Sequence, residues 1–212
     1  MNWTLPQQLY LLGYDLDKDK LDPSSVLVRG QLLRAAAVAE LTMRAWLKDQ
    51  NGKAVRNTAA SLPNDAFLAD VLDSVSLVKP RSWFTVVDHR WERAEAVVRD
   101  QLAELGTIKA EKIRKLGFRW SRPGVLKDRE RVRALRESTR NAVLLGGGPP
   151  DVSVAALVML SVEGDVRSVF TPKERREHKQ AFKAIADNLE TVLPGLRKAT
   201  ELSIAARRGG AA

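Results

Sequence analysis

Positive charge in this sequence of 212 residues is concentrated between Lys109 and Arg140. That stretch holds twelve Lys or Arg and four Asp or Glu, so its net charge is +8 out of +9 for the whole chain. Apolar and aromatic residues, among them Phe118 and Trp120, lie between the cations. A dense group of cations interspersed with apolar residues attracts polyanions. The two polyanions that fit this pattern are an anionic membrane surface and a nucleic acid.

Two further arginines, Arg29 and Arg34, lie in a segment that is otherwise almost entirely apolar. A guanidinium in such surroundings needs a partner, because burying an unpaired charge is costly. One interpretation is an ion pair with an acidic neighbour. The other is a phosphate-binding role, for which the planar fork of arginine is well suited. The sequence leaves both interpretations open.

Catalytic and metal chemistry find little support in the sequence. The two histidines, His89 and His178, are far apart in the chain, no GxSxG nucleophile motif is present, and the lack of cysteine excludes disulfides and thiolate metal sites. An Asp-x-Asp-x-Asp spacing from Asp15 resembles a calcium-binding loop, but Lys20 and Val26 stand where such a loop needs Gly and Glu. We therefore predict that the protein is not an enzyme and has neither a cofactor nor a metal site.

The segments that must position these residues are mostly helical. The segment from about Ser25 to Trp46 has almost no polar face, which predicts a central helix buried on nearly all sides. The tetrapeptide at 50–53 predicts a tight turn between two short strands, and the stretch from Thr107 to Trp120 predicts a β-hairpin, with a separate turn at 123–124. Further helices are predicted at 64–78, 93–105, 128–145 and 152–162, and from Thr171 onwards.

The predicted fold class is mainly α, a single helical domain around a central buried helix, with one β-hairpin. We assign this domain to residues 1–206 and a flexible tail to residues 207–212. The first six residues lack the basic leader and apolar core of an export signal, and the longest apolar run, at 152–162, is too short to span a bilayer. We therefore expect a cytoplasmic protein whose contact with a membrane is peripheral.

The order of these segments resembles that of the Golgi phosphoprotein 3 family, and the chain is similar to a divergent bacterial member of it. Each matching motif is weak alone, but their order and spacing together are more specific. The motifs are LPQQLYLLGYD at 5–15, AELTMR at 39–44, NDAFL at 64–68, LAELGTI at 102–108, GFRW at 117–120, AALV at 155–158 and the segment 165–170.

This resemblance implies a mostly helical fold, recognition of phosphatidylinositol 4-phosphate at a basic pocket, and a hairpin used for membrane contact and self-association. It therefore implies an anionic membrane lipid as the partner, a homo-oligomer formed through the hairpin, and no nucleic acid. The residues predicted for membrane or oligomer contact are Lys112, Arg114, Lys115, Phe118, Arg119 and Trp120.

The headgroup site is matched only in part. Arg34 corresponds to a phosphate-binding arginine of the family, whereas the family's stacking tryptophan falls near Ser25. The family's next basic pair falls near Glu92 and Glu95, which would repel a phosphate. Two arginines close to these positions are able to substitute for that pair. The residues predicted to bind the lipid headgroup are Arg34, Arg90 and Arg93.

Two alternatives remain open on the sequence alone. A helix at 93–105 followed by a hairpin is also the order of a winged-helix nucleic-acid-binding protein. That helix, however, has a net charge of −1, whereas a helix in the major groove should carry cations toward the phosphates. The other alternative is a scaffold for protein interactions. A lipid binder is therefore the preferred interpretation, and a nucleic-acid binder is the first alternative.

Overall fold

The computed structural model describes residues 3–59, 61–115, 118–146 and 148–210, with the side chains of residues 110–124 outside the described part. The α-helices are α1 (Leu5–Leu12), α2 (Arg29–Met43), α3 (Ala66–Asp73), α4 (Trp83–Asp88), α5 (Trp91–Glu104), α6 (Arg129–Leu144), α7 (Val152–Glu163), α8 (Pro172–Glu177), α9 (Lys179–Val192) and α10 (Leu196–Gly209). The strands are β1 (Tyr14–Asp15), β2 (Lys20–Leu21), β3 (Leu47–Gln50), β4 (Lys53–Arg56), β5 (Arg81–Ser82), β6 (Ile108–Lys115) and β7 (Phe118–Leu126).

The predicted fold class is confirmed, since 61% of the protein is helical and the strands form only small antiparallel sheets. β1 pairs with β2, β3 with β4 and β5, and β6 with β7. None of the helices within the described ranges has the length and apolar character that crossing a bilayer requires.

Helix α2 is the centre of the fold, as its apolar character predicts. Every residue from Arg29 to Leu41 is buried, and the helix packs against α1, α3, α4, α5, α7 and α10. A helix surrounded in this way has no solvent-facing side, which explains why its sequence lacks a polar stripe. The two arginines it carries must therefore find partners inside the protein.

The ends of α2 differ from the prediction. The segment before it forms a separate 3-10 turn at Pro23–Ser25, which Asp22 caps by accepting a hydrogen bond from the Ser24 N–H at 2.8 Å. Val26 and Leu27, predicted to lie in the buried helix, precede it and are 54% and 53% exposed. At the other end the left-handed backbone of Ala45, with φ of 56°, stops the helix before Trp46.

Two of the predicted turns have different outcomes. The turn between β3 and β4 is confirmed, with Asn51 and Gly52 both at positive φ, as a tight hairpin requires. The separate turn predicted at 123–124 is wrong, because these residues belong to β7. The register shifts between Lys109 and Glu111 on the paired strand β6, and such an irregularity accommodates a proline that has no N–H to donate.

The C-terminal helix continues further than the sequence indicated. α10 runs to Gly209, and the guanidinium carbon of Arg207 lies 4.6 Å from the centre of the Trp91 ring. The first residues assigned to a flexible tail are therefore helical. The division into a domain and a tail stays a prediction.

The close approach of α2 to the beginning of α5 depends on a glycine. A Cβ at Gly30 would lie 2.2 Å from the carbonyl oxygen of Trp91, which is a backbone atom that cannot rotate away. We expect Gly30→Ala to lower the free energy of unfolding by about 2–3 kcal/mol, the usual cost of overpacking a core. Urea denaturation followed by circular dichroism measures this change.

Gly209→Ala is the matched control, because a Cβ at Gly209 would meet no atom within 4 Å. Since alanine favours a helix more than glycine does, this control should leave stability unchanged or slightly higher. Equal stability of the two variants would show that the contact between Gly30 and Trp91 does not constrain the fold.

Candidate anion-binding site

The backbone from Val86 to Trp91 runs antiparallel along α2 and brings the candidate residues together. At one end the Val86 carbonyl accepts two hydrogen bonds from Arg34, from Nε at 3.1 Å and from Nη2 at 3.0 Å. At the other end the Trp91 backbone lies against Gly30, as described above. The corner between α4 and α5, which holds His89 and Arg90, therefore lies beside the N-terminal half of α2.

Arg34 is fully buried and has three partners, which lie in α4, in α3 and at the residue that follows α3. Its bonds to Val86 satisfy a carbonyl at the C-terminal end of α4, where helical carbonyls lack partners within the helix. Nη2 also donates to Ser74 Oγ at 3.3 Å, and Nη1 lies 3.5 Å from Oδ2 of Asp70, whose side chain is 54% exposed. Of the two interpretations left open, the protein-partnered one describes this geometry, with only Nη1 directed at a solvent-exposed group.

The charge of Arg34 is retained despite its burial. Burial lowers the pKa of the guanidinium to about 10, while the nearby carboxylates of Asp70 and Glu92 act in the opposite direction. A pKa of about 10 leaves the group positively charged at neutral pH. The interior of the site therefore holds a permanent positive charge.

Arg29 has a purely structural arrangement. Its Nη1 forms an ion pair with Glu95 at 3.0 Å, and its Nη2 donates to the Asp22 carbonyl at 2.8 Å. Glu95 was predicted to repel a phosphate. In the folded protein its carboxylate is paired with Arg29 instead.

Four side chains share one electrostatic environment at the corner between α4 and α5. The pKa of His89 is lowered first by burial and then by the positive charges of Arg34, Arg81 and Arg90, while Asp70 opposes them. Arg81 is held beside Arg34 by donating from Nη1 to the Ser74 carbonyl. The structure thus brings two of the three predicted headgroup residues, Arg34 and Arg90, into one cationic cluster.

Arg90 occupies an unusual backbone conformation. It is the exposed N-cap residue of α5 and has φ of 48° and ψ of 33°, in the left-handed region. A residue with a side chain pays about 1–2 kcal/mol for this conformation, and such strain is concentrated at functional sites. Its side chain is the most accessible charge of the cluster.

The structure does not place Arg93 in the cluster. Arg93 is exposed on the first turn of α5, and no described contact joins its side chain to Arg34 or His89. Sequence reasoning in turn missed Arg81 and His89 as members of this cluster. The only local signal at Arg81 is its place directly before Ser82, whose side chain caps α4.

A polar cavity of about 210 Å³ lies on the same side of α2. Gln31 is fully buried at its wall, and both polar atoms of its amide lack a hydrogen-bond partner among the described residues. Asp88 contributes a carboxylate that accepts a hydrogen bond from Ser203 at 2.7 Å. The half-buried Asp88 carboxylate is able to accept a hydrogen bond from a ligand hydroxyl in a cavity of this size, whereas the amide atoms of Gln31 are enclosed in the wall. The lining residues are Gln31, Asp88, Trp91, Ala206, Arg207 and Gly210.

Part of the basic stretch at 109–140 forms side-chain contacts that attach α6 to the rest of the protein. Four of the five arginines of α6 contact groups elsewhere in the fold, and Arg133 pairs with Glu130 of the same helix, so α6 supplies less free charge than the sequence indicated. Arg129 pairs with Asp19 at 3.0 Å, Arg131 lies 3.9 Å over the ring of Trp3, Arg136 donates to the Tyr14 carbonyl, and Arg140 binds Glu174. The side chains of most of the hairpin's basic residues lie outside the described part of the structure.

The hairpin itself is described only at the level of its backbone. β6 and β7 pair in an antiparallel register that sets Ile113 opposite Trp120 and Lys115 opposite Phe118. The predicted exposure of Phe118 and Trp120 lies outside the described side chains. The same holds for the side chains of the other predicted contact residues, Lys112, Arg114, Lys115 and Arg119.

Comparison with known proteins follows this geometry. A family model described as Golgi phosphoprotein 3 (GPP34) matches residues 5–202, which include Arg34, Arg81, His89 and Arg90. The resemblance found in the sequence is thereby confirmed. None of the curated proteins matches the chain. Across the described residues, no group of three or more His, Cys, Asp or Glu is placed so that it could hold a metal ion.

We predict that anion binding at this cluster is coupled to protonation of His89. Its pKa lies below the ordinary value first because of burial and then because of the positive charges of Arg34, Arg81 and Arg90, so a bound anion that offsets those charges should raise that pKa and binding should take up a proton. Affinity should therefore rise as the pH falls, roughly threefold to tenfold between pH 7.5 and pH 5.5 for a pKa rise of up to about one unit. Sulfate is the probe, because its own charge is constant over this pH range. NMR titration of the His89 ring measures both the pKa of His89 and the affinity for sulfate.

His89→Gln is the control for this coupling. It should still bind sulfate, since the three arginines remain, but its affinity should no longer change with pH. A pH dependence that persists in this variant would assign the coupled proton to another group.

We also predict that Asp70 competes with any anion for Nη1 of Arg34. Asp70→Asn removes the opposing charge at 3.5 Å and should strengthen sulfate binding by about tenfold, close to the energy of one surface charge pair. Isothermal titration calorimetry measures the change. Asp73→Asn, which removes a surface carboxylate paired with Arg56 at 3.0 Å, is the matched control and should change affinity less than twofold, roughly the effect of a screened surface charge. Equal effects of the two variants would contradict a specific competition.

Proposed function

We propose, on the premise that the chain belongs to the Golgi phosphoprotein 3 family, that it is a peripheral membrane protein that binds anionic lipid headgroups. The headgroup that membership of this family favours is phosphatidylinositol 4-phosphate. The observation that carries the proposal is the convergence of Arg34, Arg81 and Arg90 around His89 at one corner of the fold. Three cations and a titratable imidazole suit a phosphate monoester, which carries close to two negative charges at neutral pH.

The three arginines of the cluster differ in their exposure to solvent, and each would therefore contribute differently to binding. Arg90 is exposed and would meet a phosphate first, while Arg81 is held in place by Ser74. Arg34 is buried and would act through its positive field and through Nη1, after Asp70 has moved aside. With Arg34 buried and Arg90 exposed, the site would attract an anion through two positive charges while only one of them is open to solvent.

The neighbouring cavity supports a headgroup that carries hydroxyls as well as phosphate. The Asp88 carboxylate is able to accept from a hydroxyl, and the unpaired amide of Gln31, which is enclosed in the wall, would donate and accept once its side chain turned toward the cavity. Leaving a buried amide without a partner costs about 1–3 kcal/mol, so a ligand hydroxyl that satisfies it would add to affinity. This arrangement favours an inositol headgroup over a simple phosphate.

The hairpin of β6 and β7 would supply a second contact with the membrane. Lys112, Arg114, Lys115 and Arg119 would supply attraction to the membrane surface, each worth about 1 kcal/mol near anionic lipid. Phe118 and Trp120 would contact the membrane or a second copy of the chain. We propose a cytoplasmic and non-catalytic role for the protein on this basis.

Nucleic-acid binding remains the first alternative. Helix α5, which would be the recognition helix, has few groups suited to contacting DNA. Ala94, Val98 and Leu102 face the protein core, and Arg99 pairs with Asp100 at 3.0 Å. A recognition helix needs donors directed at base edges, and the net charge of this helix is acidic. Duplex DNA therefore serves as the competing ligand in the experiment.

Sedimentation with vesicles tests the proposal. The protein should bind phosphatidylcholine vesicles that contain phosphatidylinositol 4-phosphate more tightly than vesicles of equal charge that contain phosphatidic acid, and it should not bind neutral vesicles. Arg90→Gly should weaken binding by roughly fivefold to tenfold, the worth of one cation at the surface. Since glycine relieves the left-handed backbone at this position, the variant should be at least as stable as the wild type.

Arg176→Ala removes an exposed arginine of α8 and is the matched control, with unchanged binding expected. Thermal unfolding of each variant separates a loss of charge from a loss of structure. Binding to duplex DNA but to none of the anionic vesicles would overturn the proposal in favour of the alternative.

A further inference from the structure

The loop that follows α3 exposes two adjacent apolar side chains. Leu77 is 66% exposed and Val78 is 86% exposed, the highest value among the large apolar residues of the described ranges. We name residues 76–80 the apolar loop. Scattered exposed leucines are ordinary, so the position of this pair relative to the rest of the molecule decides its meaning.

The apolar loop has a defined shape. The hydroxyl of Ser76 accepts hydrogen bonds from the backbone N–H of Val78 at 3.1 Å and of Lys79 at 3.2 Å, which closes a tight turn. Pro80 follows and fixes the backbone before β5 begins. The two apolar side chains are therefore presented by a structured turn, and exposing them needs no unfolding.

Both ends of the apolar loop are attached to the anion-binding cluster. Before it, Ser74 receives a hydrogen bond from Nη2 of Arg34 at 3.3 Å. After it, Arg81 donates from Nη1 to the Ser74 carbonyl. The loop consequently projects from the place where the proposed headgroup phosphate would bind, and its position is set by the same side chains.

Charge around the apolar loop favours a negatively charged surface. Lys79, Arg81 and Arg90 have exposed or half-exposed side chains beside it. Two of the three nearby acids are paired with arginines, Asp70 at 3.5 Å from Arg34 and Asp73 at 3.0 Å from Arg56, and Glu92 is the third exposed acid. An apolar tip surrounded by cations suits an anionic membrane, where cations remain at the level of the phosphates and apolar groups enter the acyl boundary.

We propose that the apolar loop inserts Leu77 and Val78 into the membrane while the adjacent cluster holds a lipid headgroup. The inference rests on the proposed lipid-binding function and adds a second, apolar contact to it. A shallow insertion of about 5–10 Å is what side chains of this size achieve at an interface. Insertion of the loop would make binding to a bilayer stronger than binding to the soluble headgroup alone.

Substitution of both side chains tests the proposal. Leu77→Ser combined with Val78→Ser should weaken binding to vesicles containing phosphatidylinositol 4-phosphate by tenfold to a hundredfold, about tenfold for each apolar side chain that loses its burial. Binding of the soluble headgroup glycerophosphoinositol 4-phosphate should be unchanged, because it has no acyl region. The matched control is Leu145→Ser combined with Val192→Ser, a leucine and a valine that are 74% and 49% exposed elsewhere.

Direct insertion is measured with a fluorophore. The sequence has no cysteine, so Val78→Cys provides a single labelling site, and Leu145→Cys provides the control site. An environment-sensitive label at position 78 should move to an apolar environment when anionic vesicles are added, and the label at position 145 should not. Light scattering of the unlabelled proteins reports any change in oligomeric mass.

The outcomes separate this inference from the proposed function. If the wild type binds no anionic vesicle, the lipid-binding function is wrong and insertion with it. If the wild type binds and the double serine variant binds equally well, insertion alone is wrong. If the variant is weaker but the label stays in water, or if the oligomeric mass changes instead, the apolar loop contacts a protein and the membrane proposal is overturned.

Discussion

The contact on which the site depends is the pair of hydrogen bonds from the buried guanidinium of Arg34 to the carbonyl of Val86. Through these bonds α2 fixes the C-terminal end of α4, and through Ser74 it also fixes the end of α3. Removing one partner of a buried charge typically costs about 3–5 kcal/mol, so the arrangement is strongly constrained. The corner that holds His89 and Arg90 takes its position from this single buried cation.

The two arginines of α2 show how similar residues take different roles. Both terminal nitrogens of Arg29 have close partners inside the protein, Glu95 at 3.0 Å and the Asp22 carbonyl at 2.8 Å. Arg34 has two strong bonds to Val86 but only a loose ion pair with the exposed Asp70, at 3.5 Å. The two arginines therefore differ at a terminal nitrogen. Nη1 of Arg29 has a close ion pair, whereas Nη1 of Arg34 has only a longer contact with an exposed carboxylate that an anion would be able to replace.

Charge density in the sequence does not equal charge available to a partner. The arginines of α6 account for much of the basic stretch, yet Arg136 and Arg140 bind carbonyl and carboxylate groups that anchor the helix to the body. At the corner of the half-buried Arg81 and the exposed Arg90, where the sequence shows only modest positive charge, both cations lower the pKa of His89. The candidate anion site is thus defined by side chains that the fold brings together more than by the local charge of the sequence.

The sequence by itself determined the mainly α fold, the central α2 and the hairpin, because hydrophobic periodicity, caps such as Asp128 and turn residues act over a few neighbouring positions. It also marked Arg29 and Arg34 as cations on an apolar helix that need partners, and the family resemblance selected Arg34 of the two. Only the tertiary structure decided that Arg81 and His89 join Arg34 and that Arg93 does not, because those side chains come from elements up to about 50 residues apart. Hydrogen-bond partners at that separation are chosen by packing, which leaves no local pattern to detect.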